Sequence, residues 1–365
     1  MTVKDSISVQ TDVTNIRNLG NKEPCSKSAK KGPNLDTLAQ LQTKGEDSPI
    51  GPLRNLTKSQ DKNPLQKRAR RKYLGNALVL KLVDAAKHSD IENRRFLPDK
   101  YWNSWHCVDA LQESKDGKLS GKYCKLKWCP VCNSIRTAKL INEYKPIFNE
   151  WEDPYFVTLT VPNVTGEELE RAIKQMTNTF SLLKESHNKQ ARRKGTKILT
   201  GIRKTECTFN VRRNNYHPHF HFLVDGADTA YEIIYQWLER YPECSPNAQD
   251  VVKATKGSLI ELFKYFTKFI TKGPSGKMAI YADALDVVFN AVHRKRTIQT
   301  FGFKKPKIEV EDPNEITGED VLHVHKWIQE LGDWANVETG ELLSGYIPSE
   351  GMKELIQEGI KMRPK

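Results

Sequence analysis

No aromatic residue occurs in the first 72 positions; Tyr73 is the first. That stretch is rich in Lys, Asn, Ser, Thr and Gln, with Pro24, Pro33, Pro49, Pro52 and Pro64 scattered through it. So little apolar surface cannot offset the entropy of ordering, which predicts a disordered segment over 1–65. Long apolar runs are also missing. Nothing approaches the ~18 residues of a transmembrane helix, and the opening MTVKDSISVQ has no apolar core of the kind a secretory signal needs. Cysteine is scarce: seven in 365 residues are too few for a disulfide scaffold, and three of them crowd between Cys124 and Cys132. These absences point to a cytoplasmic protein with no membrane partner.

What is abundant is positive charge, a formal +13 from 58 basic and 45 acidic residues. It is unevenly spread. The segment 306–365 carries −7, so the residues before it carry +20, and 73–305 alone carries +12. A basic middle fits a surface that neutralises phosphates; a merely solubilising charge is the alternative. The run Lys67-Arg68-Ala69-Arg70-Arg71-Lys72 opens a helix predicted to reach about Lys87, either as a phosphate-binding arm or as a solvated face.

Length alone suggests two or three domains. From Tyr155 the pattern is orderly. Tyr155–Val161 reads as a strand ended by Pro162-Asn163, and Thr165 with Glu168 as a capping box. Leu169, Ile173, Met176, Phe180 and Leu183 mark one face of a long helix. Ile198–Val211 and His217–Val224 form a hairpin across Arg212-Arg213-Asn214-Asn215. Helix 229–240, strand 250–254, helix 258–270, helix 284–292 and strand 297–303 follow. The order β-α-β-β-α-β predicts an α+β fold with an antiparallel-rich central sheet flanked by helices, the split βαβ arrangement. The predicted divisions are a basic helix and cysteine-stapled module over 66–150, a catalytic unit over 151–305 and an acidic tail over 306–365. Within that tail Val321–Leu331 is amphipathic.

The densest chemistry is His217-Pro218-His219-Phe220-His221-Phe222. On a strand the three imidazoles share one face while Phe220, Phe222 and Val224 take the other. An ordinary half-buried, His-rich strand is the bland reading; a cluster of like-facing imidazoles favours a ligand site. If Val211 faces Tyr216 across the turn, His221 faces Glu206 and His219 faces Thr208, with Glu206 on the histidine side. Two imidazoles and a carboxylate suit Mg²⁺ or Mn²⁺ with open positions better than a closed zinc site.

Along the helix predicted over 258–270, Glu261, Tyr265 and Lys268 share a face, with Lys264 beside them. Lysines and a metal-bound phosphate would favour the phenolate of Tyr265, and Glu261 could accept a proton. Lys264 and Lys268 are candidate phosphate contacts. The alternative makes Tyr265 an aromatic of an amphipathic helix, with Leu262, Phe266 and Phe269 as core neighbours. Cys107, Cys124, Cys129 and Cys132, spaced C-x16-C-x4-C-x2-C, suit a closed structural Zn²⁺ better than a redox pair, with His106 as a possible substitute ligand. Cys25, Cys207 and Cys244 are left unpaired.

Together Phe156-Val157-Thr158-Leu159-Thr160, the His217–His221 motif and Glu261-x-x-x-Tyr265 resemble the HUH endonucleases, and within them the rolling-circle plasmid replication initiators. The Cys129-Pro130-x-Cys132 knuckle, followed by Arg136 and Lys139, is similar to what precedes the catalytic domain in that family. The resemblance covers roughly 107–303. It implies a bacterial cytoplasmic enzyme that nicks one strand at a plasmid's double-strand origin and joins the 5′-phosphate to a tyrosine, here Tyr265. It further implies a metal on His219 and His221, activation of water by Glu261 at termination, and host helicase and polymerase as partners. An HUH relaxase or transposase, and a non-catalytic zinc-stapled DNA-binding regulator, are the rival readings.

Overall fold

The computed structural model describes residues 63–89, 98–265, 267–272, 278–304 and 321–354. The segment expected to be disordered lies almost wholly outside these. At its edge Asn63 caps helix α1 (Pro64–Lys87), its side-chain oxygen accepting from the Gln66 amide at 2.8 Å, with Pro64 preorganising the first turn. The basic run does not form an exposed arm, since Lys67, Arg70 and Lys72 are buried. Lys72 donates to Asp109 Oδ1 at 2.6 Å. Helix α2 (Pro98–Trp105), strands β1 (Ala110–Ser114) and β2 (Leu119–Gly121) and helix α3 (Pro130–Glu150) follow.

The central unit then runs β3 (Pro154–Thr160), α4 (Leu169–Lys194), β4 (Gly201–Asn210), β5 (Asn215–Asp225), α5 (Ala227–Arg240) and β6 (Asp250–Lys253). This is the expected β-α-β-β-α-β order, in a five-stranded sheet arranged β6-β3-β5-β4-β9, with β9 at Ile298–Phe301. Every pairing in it is antiparallel. The predicted apolar face of α4 is the buried one, and Gly195 at φ 65° ends the helix in the left-handed conformation. Glu168 accepts from the Thr165 amide at 3.2 Å, the backward half of a capping box. β4 opens on a glycine because a Cβ at Gly201 would lie 2.5 Å from the Leu223 carbonyl oxygen and 2.7 Å from the Phe301 ring.

Alternation along β5 sets the two faces of the sheet. Phe220, Phe222 and Val224 pack with Met176, Phe180 and Leu183 of α4 and Ile233 and Trp237 of α5. On the other face Leu223, Ile202 and Phe156 pack under α3 and α6 (Ser258–Phe263), against Tyr144, Phe148, Leu262 and Phe263. A third cluster joins α1, the cysteine segment and α7 (Ala282–Ala291). A two-stranded pair, β7 (Thr271–Lys272) with β8 (Met278–Ala279), precedes α7.

Three expectations need correction. The hairpin register differs by two residues: Glu206 pairs with His219, His221 with Lys204 and His217 with Thr208. Val211 belongs to the turn, so Phe209 faces Tyr216 instead. A shift of two preserves the face, so Glu206 still sits on the histidine side. The helix expected over 258–270 ends at Phe263, whose carbonyl accepts from Thr137 Oγ1 of α3 at 2.8 Å. Lys264 is extended, with ψ −178°. Finally, the acidic region is more than a tail. Its amphipathic stretch forms strand β10 (Val321–Ile328), which pairs with β1 and with β11 (Asp333–Asn336) in a sheet ordered β11-β10-β1-β2.

Trp334 anchors that C-terminal contribution. It is fully buried, and its indole N–H donates to the Val108 carbonyl at 2.7 Å. Trp334→Ala is expected to cost about 3–5 kcal/mol in urea unfolding. A loss below about 1 kcal/mol would show that β10 and β11 are dispensable to the folded module.

Candidate metal centre and its surroundings

Strands β4 and β5 bring Glu206, His219 and His221 together, one ligand atom of each lying within 4.8 Å of the others. Glu206 Oε2 is 3.7 Å from His219 Nε2, and Oε1 is 3.8 Å from His221 Nε2. His219 Nδ1 lies 3.0 Å from the His217 carbonyl, which can only accept, so Nδ1 donates there and the ring is oriented with Nε2 toward Glu206. His221 is held from β3, its Nδ1 lying 3.1 Å from Thr158 Oγ1. His217 stacks on His219 at 5.1 Å, its Nδ1 bonding Asn163 Oδ1 at 2.8 Å, outside the three-residue cluster.

Burial and charge fix the protonation states. Desolvation pushes His221 down to about 3, with Glu206 opposing and the His219, Lys204 and Lys264 charges assisting. A neutral imidazole near pH 7 is the form a cation requires. Burial alone would raise Glu206, but Lys204 beside it, helped by the histidines, holds the carboxyl below its usual range. The donor set therefore fits a divalent cation: two aligned nitrogens, one ionised carboxylate, and hydrogen bonds behind both rings.

Lys204 is the residue that sequence reasoning missed. It is 1% exposed, donates to Glu206 Oε1 at 2.5 Å and reaches the Tyr265 carbonyl at 3.3 Å. The signal was present: two positions before Glu206 on the same strand, it had to share that face. Of the other candidates, Glu261 is exposed and ion-paired with Lys264, whose charge acts on His221, and Lys268 is exposed. Tyr265 has its backbone at the site and its ring elsewhere. Beyond the end of α6 the side chain turns away, its hydroxyl donates to the Pro130 carbonyl at 2.6 Å, and its ring meets Phe269 edge-on at 4.5 Å. Burial raises this phenol well above its ordinary range, with the neighbouring Cys129 and Cys132 adding to the shift against Arg71 and Arg136. The expected shared helical face of Glu261 and Tyr265 does not form.

The Pro130 that receives Tyr265 begins α3 inside the second cluster. Cys107, Cys124, Cys129 and Cys132 bring four sulfurs within 4.8 Å of one another. Cys107–Cys132 and Cys124–Cys132 Sγ separations are 3.5 and 3.6 Å. A tetrahedron with Zn–S bonds of ~2.3 Å has edges of about 3.8 Å, so the geometry fits Zn²⁺. The Lys125 amide donates to Cys132 Sγ at 3.2 Å and the Cys124 amide to Cys107 Sγ at 3.5 Å, hydrogen bonds that stabilise negative charge on sulfur. His106 is not in the cluster; it pairs with Asp109 at 2.8 Å. Cys207 and Cys244 are buried free thiols, and Cys25 lies outside the described residues.

These centres define a class: an antiparallel sheet carrying a His-His-carboxylate site, joined to a four-cysteine knuckle. Comparison with known proteins gives the family. The family model described as "Replication protein" matches residues 118–231, which include three of the four clustered cysteines and the whole His-Glu cluster but stop short of Tyr265. Protein rep of Streptococcus pneumoniae serotype 2 is 30% identical over 280 residues, 68% of this chain and 82% of that protein. Protein rep of Staphylococcus aureus is 32% identical over 165 residues, covering 40% and 69%. Protein rep of a Bacillus species is 35% identical over 129 residues, covering 32% and 40%. No solved structure matches. The chain belongs to the Rep family of plasmid replication initiators. Among the described residues, no helix is long and apolar enough to cross a membrane.

Glu206→Met leaves the buried Lys204 ammonium uncompensated and is expected to cost about 3–5 kcal/mol in urea unfolding. The double variant Lys204→Met/Glu206→Met should recover most of that loss. Additive losses in the double-mutant cycle would mean the two side chains do not act as a pair.

Proposed function

We propose that this initiator nicks one strand of its plasmid's double-strand origin, links the 5′-phosphate to Tyr265 and later rejoins strands at the same site. The observation that carries the reading is the convergence of His219 Nε2, His221 Nε2 and Glu206 within a sheet of the initiator family. A divalent cation, Mg²⁺ or Mn²⁺, held by these three residues would polarise the scissile phosphoryl oxygen. His217 and Thr158 orient the two imidazoles, and Lys204 keeps Glu206 ionised. In the transfer, a bond forms between Tyr265 Oη and phosphorus as the P–O3′ bond breaks. The phenol proton passes to a base and the departing 3′-oxygen takes up a proton. The energy of the broken bond is kept in the phosphotyrosine, so rejoining needs no ATP.

With its hydroxyl on Pro130, Tyr265 is stored rather than aimed. The proposal therefore includes a turn of this side chain out of the cysteine module. Its backbone is already adjacent to the site, because Lys204 bonds both Glu206 and the Tyr265 carbonyl. Glu261, exposed at the start of α6, is the candidate for activating water at termination, and Lys264 and Lys268 for phosphate contacts. Four-thiolate zinc would staple the module that stores the tyrosine. Basic surface gives origin binding that weakens steeply with salt, and host helicase and polymerase would act on the opened strand.

Supercoiled origin plasmid incubated with Mn²⁺ is expected to yield a nicked circle and a nucleotide-bearing peptide containing Tyr265. Tyr265→Phe should lose both while keeping origin binding, whereas a non-catalytic regulator would be unaffected. Adduct mass on another tyrosine would overturn the nucleophile assignment. His219→Ala should abolish nicking and lower Mn²⁺ affinity at least tenfold by calorimetry; unchanged affinity would remove this residue from the metal site. Elemental analysis should find one equivalent of zinc, reduced in Cys129→Ser; zinc-free, fully folded protein would remove the structural assignment.

A further inference from the structure

The opposite face of β4 carries a buried cation with no countercharge. Arg203 is 2% exposed, yet among the described residues no carboxylate pairs with it. Its guanidinium carbon stacks over the Phe220 ring at 4.6 Å and the Phe180 ring at 5.2 Å. One donor, NH2, reaches the neutral Gln299 Oε1 at 3.1 Å, while the buried Nε has no acceptor. Burial is the cause that lowers this group, to about 10, with no acid offsetting it. An unpaired buried charge and an unsatisfied donor each carry a desolvation cost, so their joint survival points to an acceptor supplied from outside the chain.

The space for that acceptor is present. Arg203 lines a cavity of about 310 Å³ between α4 and the segment after α7, together with Lys174, Lys295, Arg296, Thr205 and Thr297. Lys295 is engaged by Glu170 at 2.8 Å. Lys174 and Arg296 are exposed and unpaired among the described residues, so the cavity keeps a surplus of positive charge, and Thr205 and Thr297 add hydroxyls to an otherwise largely apolar wall. Its size is at the lower end for a small-ligand site and suits one phosphate with little attached. A guanidinium fixed on two aromatic rings presents its free edge in a set plane, the geometry that oxyanions are matched to.

We propose that this cavity is a phosphate-binding site, taking the phosphate of a free nucleotide or a phosphodiester of the DNA backbone on the sheet face opposite the histidines. It does not depend on the nicking assignment. Arg203 supplies the buried anchor, and Lys174 and Arg296 the charged entrance.

The test uses the full chain, with inorganic phosphate titrated against sodium chloride of equal ionic strength. Phosphate is expected to bind saturably by calorimetry and to raise Tm beyond the chloride control. Arg203→Met and, separately, the surface double variant Lys174→Gln/Arg296→Gln should each weaken binding at least tenfold; the double variant keeps the test decisive if Arg203→Met fails to fold. Two further arms separate the sources. Thymidine monophosphate displacing phosphate without loss of oligothymidylate binding identifies a free-nucleotide site. Oligothymidylate competing with phosphate, and weakened in the same variants, identifies a backbone contact. No saturable effect beyond chloride, or equal affinity in wild type and the double variant, would overturn the proposal.

Discussion

The Glu206 carboxylate is the constraint from which the rest of the site follows. It is an ionised group on a buried sheet face, which is tenable only because Lys204 and two imidazoles converge on it. The same lysine binds the Tyr265 carbonyl, so the anion that completes the donor set also fixes the backbone of the candidate nucleophile. Breaking one contact therefore perturbs both the electrostatics of the candidate metal site and the position of the tyrosine segment.

The sheet separates two chemistries along one strand. On β4, Lys204 and Glu206 face the histidines while Arg203 and Thr205 face α4. The result is a face whose donor set fits a cation and a face of surplus positive charge, back to back, each bordered by aromatic rings. Phe156 lies 5.0 Å from the His221 ring on one side, and Phe180 and Phe220 clasp Arg203 on the other. Both sites stand on the most heavily paired strands, where a side chain has little freedom to drift.

Much of this was legible in residue order. The alternation of His217, His219 and His221 with Phe220 and Phe222 gave both faces of β5, and the spacing from Leu169 to Leu183 gave the buried stripe of α4. The exact register was not legible, because turn length decides it and Val211 left the strand; parity kept Glu206 in place all the same. The end of α6 was invisible for a different reason. Nothing local stops the helix after Phe263; Thr137, more than a hundred residues earlier, takes its carbonyl. Tyr265 then follows a tertiary contact with Pro130 rather than helical periodicity. The role of 321–336 was hidden likewise, since an amphipathic stretch of that length is compatible with either strand or helix, and only β1 as a neighbour selects the strand.

The pairing of β1 with β10 has a temporal consequence for the cell. The ribosome finishes the cysteine knuckle some two hundred residues before it releases the strands that complete that sheet. At ordinary elongation rates of roughly 5–20 residues per second the interval is on the order of 10–40 s. During it β1 waits with an open edge, beside thiols able to capture zinc. On the proposed zinc assignment, early capture would hold the knuckle in shape until its late-arriving partner docks.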